Sequence, residues 1–65
     1  MKKQIKVIIH NSNYGTQHPS IISSNHYDTE PSKNEILEMI TADNGYIAEV
    51  EEGYDDNFKT IYTIN

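Results

Sequence analysis

At 65 residues, the chain is expected to form one small domain (residues 1–65), large enough for a helix on a sheet but not for a core around a large pocket. It has no Cys, which excludes disulfides, thiolate metal sites and a cysteine nucleophile. The net charge of −5 is unevenly spread: residues 1–27 carry three Lys and no acid (+3), and residues 28–65 carry ten acids and two Lys (−8).

That asymmetry marks an interaction surface if folding keeps the halves apart, and serves only solubility if folding mixes them. The basic start, MKKQIKVIIH, has an apolar stretch too short for a signal-peptide core, so a cytoplasmic location is expected. Ten Ile, seven Asn and no Arg are what AT-rich codons favour. An AT-rich bacterium, or a phage or plasmid of one, is the source this composition suggests.

In chain order, residues 3–10 (KQIKVIIH) read as a strand, with Ile5, Val7 and Ile9 on one face and Lys6, Ile8 and His10 on the other. Residues 11–19 (NSNYGTQHP) have turn composition and form a long loop. Residues 20–27 (SIISSNHY) are a weaker strand candidate, with Ile21 and Ile22 as its apolar content. The next stretch, Ser32 to Gly45, reads as a helix from end to end. Ser32 and Glu35 form the S-x-x-E capping box, with Thr29 as the alternative N-cap, and Ile36, Leu37 and Ile40 form the apolar face. Asn44-Gly45 is the stop, Gly45 being the residue expected to take the left-handed backbone.

Residues 46–51 and 58–64 read as a hairpin around the turn 52–57. Tyr46, Ala48 and Val50 should face inward. Phe58, Thr60, Tyr62 and Ile64 should share a face, against Lys59, Ile61 and Thr63. The expected fold is therefore α+β: a small antiparallel sheet of three or four strands with one helix packed on one face, ββαββ or βαββ.

Little in the chain points to catalysis. His10, His18 and His26 are spaced eight apart, which suits neither one helical face nor a tight metal loop. The acidic stretch lacks the D-x-[DN]-x-[DN]-G pattern of a calcium loop. Ser12, Ser20, Ser23, Ser24, the three His and Asp28 supply residue types for nucleophilic chemistry, but there is no G-x-S-x-G elbow. Glycine-rich phosphate-binding patterns are missing too. No enzyme, cofactor or metal is expected.

The densest feature is Glu49–Asp56, five acids in eight residues. Carboxylates spaced along strands imitate a nucleic-acid backbone and complement a basic cleft on another protein. The tyrosines beside them suit an interface anchor. The expected function is a small acidic protein-binding module, in its sharpest form a phage- or plasmid-encoded inhibitor that occupies the nucleic-acid-binding surface of a host protein. Its partner-binding residues would be Glu49, Glu51, Glu52, Tyr54, Asp55 and Asp56. The alternatives are a homodimeric accessory protein and a nucleic-acid binder using Lys2, Lys3 and Lys6 with Tyr14, His18 and His26. No membrane partner is expected.

Overall fold

Alternating β-branched residues early in the chain and again after the helix produce the strands of one sheet. The computed structural model describes residues 2–65, with the elements β1 (Gln4–His10), β2 (Ile21–Tyr27), α1 (Lys33–Ala42), β3 (Ile47–Tyr54) and β4 (Asn57–Ile64). The sheet is antiparallel throughout, in the order β2-β1-β3-β4. This is the expected α+β fold in its ββαββ form. The weak strand candidate is real and forms one edge.

Ile5, Val7 and Ile9 of β1 and Ala48 and Val50 of β3 are buried with Ile36 and Ile40 of α1, so the core lies between the helix and the two central strands. Burying an aliphatic side chain of this size contributes roughly 1.5–3 kcal/mol. Tyr27, Met39, Ile61, Tyr62 and Ile64 pack around the edge of this core.

The helix is bounded as its sequence dictates at one end and differently at the other. Ser32 is the N-cap: its hydroxyl accepts from the Glu35 amide while the Glu35 carboxylate accepts from the Ser32 amide, both at 3.2 Å. Pro31, just before the cap, is buried like Ile36 four positions into the helix, the two positions of a hydrophobic staple. At the C-terminus Asn44, not Gly45, takes the left-handed backbone, at φ 53°. The Gly45 amide bonds to Ile40 O and the Asn44 amide to Thr41 O, a Schellman arrangement with Asn at its left-handed position. Gly45 is needed for another reason: a Cβ there would come 2.5 Å from Ile9 Cγ2, so glycine lets the chain enter β3 against the sheet.

Several inward assignments change. Leu37 lies on the outer side of α1, 40% exposed, because Ile36, Met39 and Ile40 already span the arc that touches the sheet. Tyr46 precedes β3 and is exposed. The 52–57 turn is shorter than its composition suggests: β3 runs on to Tyr54, and only Asp55-Asp56 turn, with Asp55 at φ 52°.

In β4 the expected single face is split. Val50 pairs with Tyr62 and Glu51 with Thr60, so Ile61 is an extra residue in a bulge. The bulge resets the alternation. Phe58 and Thr60 share the helix-free face, whereas Ile61, Tyr62 and Ile64 pack against the core. A second bulge, at Ile22 in β2, lies opposite Ile9/His10.

Candidate functional site

The sheet keeps the two parts of the sequence on separate halves but mixes their charges where those halves meet. Residues 1–27 supply the β1–β2 half of the sheet and residues 47–64 the β3–β4 half, and the halves meet along the β1–β3 ladder. Two lysines and one histidine are held at or near that seam. Lys6 is in register with Glu51, Lys3 Nζ lies 3.3 Å from Glu52 Oε2, and His10 Nε2 lies 2.6 Å from Glu49 Oε1. Away from it, Lys2 pairs with Asp28 at 3.6 Å. The lysine pairs are exposed and each contributes at most about 1 kcal/mol.

The six hairpin residues do not form one row. Glu49 and Glu51 point to the helix-free face, where Thr60 Oγ1 lies 3.4 Å from a carboxylate oxygen of each. Glu52 lies on the helix side with Lys3. Tyr54, Asp55 and Asp56 form the exposed tip, and among the described residues no cation pairs with either Asp. Behind the tip is an open recess of about 370 Å³ lined by Lys3, Glu52, Gly53, Tyr54, Asn57, Phe58 and Lys59. Gly53 lets the tip close, because a Cβ there would run into the backbone of Asn57 and Phe58.

The helix-free face is built in cross-strand rows. Ile21, His10 and Ile47 form one; Ser24, Ile8, Glu49 and Thr63 the next; His26, Lys6, Glu51 and Thr60 the third. Beyond them Phe58 takes His26 edge-on at 5.4 Å, with Lys6 Nζ 5.4 Å from its ring centre.

A hydrogen-bonded polar cluster lies in the first two rows, at His10, which is only 6% exposed. Its Nδ1 is 2.8 Å from Ser20 Oγ and its Nε2 2.6 Å from Glu49 Oε1. Tyr14 covers the imidazole, with ring centres 4.7 Å apart. The loop between β1 and β2 sets this up by local bonding. The Asn11 amide donates to Ser20 O, the Asn13 amide to Asn11 Oδ1, and the Tyr14 amide to Asn11 O. Thr16 bonds back to Asn13 O through both its amide and its hydroxyl. The turn residues thus form a tied loop that carries Tyr14 and Ser20 to the imidazole.

His10, Ser20 and Glu49 were each visible in the sequence, but nothing there joined them. Ser20 is ten residues from His10, and Glu49 reaches it only through the β1–β3 register. Of the other histidines, His18 is in the exposed loop and His26 meets Phe58, so the three do not converge. Among the described residues no group of three potential ligands could hold a metal ion, and no helix is long and apolar enough to cross a membrane. No family model, curated protein or solved structure matches the chain.

Proposed function

We propose that this is a small acidic protein-binding module that docks on a basic surface of a partner protein through the β3–β4 hairpin. The nucleic-acid-binding cleft of a host protein is the type of target its charge suits best. The observation that carries the reading is the Tyr54-Asp55-Asp56 tip, exposed and without a cation partner among the described residues. It ends the acidic half of the sheet. Glu51 adds a carboxylate on the helix-free face, and Tyr54 supplies an aromatic anchor beside the recess. Glu49 and Glu52 contribute field rather than direct contact, since His10 and Lys3 engage them.

The rival of direct nucleic-acid binding loses support. Among the described residues Lys2 and Lys3 face carboxylates and Lys6 lies over Phe58, so these three lysines present no free basic patch.

The test is capture of a basic partner from host lysate by the full chain, compared with a triple variant, Tyr54→Ala, Asp55→Asn, Asp56→Lys. Asn is chosen at 55 because it tolerates the left-handed backbone there. Capture by the native chain should weaken steeply as salt rises, and the variant should lose it while keeping its fold. Undiminished capture by the folded variant would sink the reading.

A further inference from the structure

The cluster at His10 uses none of the hairpin-tip residues, and its hydrogen-bond directions follow from chemistry. An ionised carboxylate only accepts, so the hydrogen between His10 and Glu49 belongs to Nε2. In the neutral ring Nδ1 is then a lone pair, and Ser20 Oγ–H donates to it at 2.8 Å. The hydroxyl is thus bonded to a base, and the base to a carboxylate that holds its tautomer and would stabilise it once protonated. Thr60 Oγ1, 3.4 Å from the second Glu49 oxygen, helps hold that carboxylate, and Tyr14 shields the ring from water. The polar groups come from β1, the β1–β2 loop, β3 and β4, so the arrangement is a product of the whole sheet. Ser20 is half-buried at the head of β2, next to Ile21, which is 63% exposed. Ile21 thus leaves apolar surface open to solvent beside the Ser20 hydroxyl.

We propose that Ser20 is a nucleophile activated by His10, with Glu49 as the positioning residue, and that the site takes small activated acyl esters. Ser20 Oγ bonds to the acyl carbon as its proton passes to His10 Nδ1. The ester C–O bond breaks, and the leaving alcohol takes that proton. Water then attacks the acyl-serine, its proton passing to Nδ1, and the acid departs as Ser20 recovers its hydrogen. Only ester and water are consumed. The site lies toward the opposite end of β3 from the Tyr54 tip, and Ser20 and His10 take no part in the proposed docking, so an adduct at Ser20 is read separately from partner binding.

The experiment treats the full chain with p-nitrophenyl acetate and, separately, with a fluorophosphonate, and maps adducts by mass spectrometry. The expected result is a single adduct at Ser20, absent in Ser20→Ala, with ester cleavage in His10→Gln reduced at least about 100-fold. Glu49→Gln should retain the adduct but alter the pH profile of labelling, which a purely structural role would leave unchanged. Circular dichroism checks each variant's fold. Ser20→Ala removes one half-buried oxygen and keeps the question open to decision even if His10→Gln unfolds. No adduct on the native chain, an adduct elsewhere, or native-rate cleavage by Ser20→Ala would overturn the assignment.

Discussion

Tyr62 is the residue whose ionisation the fold most clearly perturbs. Its hydroxyl donates to Glu30 Oε2 at 3.0 Å. Burial first, then the hydrogen bond to Glu30 and its negative charge, raise the Tyr62 pKa above the ordinary value of 10.0. The folded state therefore favours the neutral phenol. This stabilisation is fully present below the unfolded value of 10.0 and is lost as pH rises through the higher folded value. Alkaline denaturation curves should fall less steeply for Tyr62→Phe than for the native chain. In an absorbance titration Tyr62 should ionise above pH 10.0, and Tyr62→Phe should remove that step. Gly53 is the second residue with a singular role. Its missing Cβ leaves space that the Asn57 backbone occupies, and backbone cannot move aside as a flexible side chain would. Gly53→Ala should cost about 1–3 kcal/mol or more in urea unfolding, because the hairpin must shift to accept the methyl.

At the scale of elements, the helix and the hairpin illustrate what local chemistry can and cannot specify. The capping box at Ser32 and Glu35 needs only residues three apart, so it was legible from the chain and formed as read. Ser32→Ala should lower stability by about 1 kcal/mol, measured by urea denaturation. Asn44→Ala should be destabilising as well, by about 1–2 kcal/mol, since alanine is strained in the left-handed region. Asn44→Gly should be tolerated. The strand faces of β4 were legible only as far as Thr60. Beyond it the bulge at Ile61 inserts one residue and exchanges the faces, and a bulge is a feature of the pairing between two strands, not of either alone. Leu37 misled for a related reason. A helical arc wide enough to include it exists in the sequence, but the sheet beneath accommodates only Ile36, Met39 and Ile40.

For the whole molecule, the dimensions of 34 × 27 × 16 Å describe two layers, a helix on a sheet, with the opposite sheet face uncovered by any element. Among the described residues so thin a body encloses no space for a large ligand, so both proposals concern its surfaces. Two such surfaces are distinct: the acidic hairpin tip at one end of β3 and the Ser20–His10–Glu49 cluster toward the other. The prediction that capture of a basic partner weakens with salt belongs to this scale. The charge field arises from how the sheet sorts its two halves, β2-β1 and β3-β4, rather than from any single carboxylate.

By itself the sequence determined the fold class, the helix with its N-cap, the inward faces of β1 and of β3 from Ala48 on, and the acidic character of the last third. All of these follow from neighbours within a few residues, where period and capping chemistry act directly. Only the tertiary structure decided which acids remain free, because Glu49 and Glu52 are occupied by His10 and Lys3 across the β1–β3 ladder. It also decided that Ser20, His10 and Glu49 form one hydrogen-bonded chain. Strand order and register bring together residues 10 and 39 positions apart, and neither is encoded in the local periodicity of the strands they join.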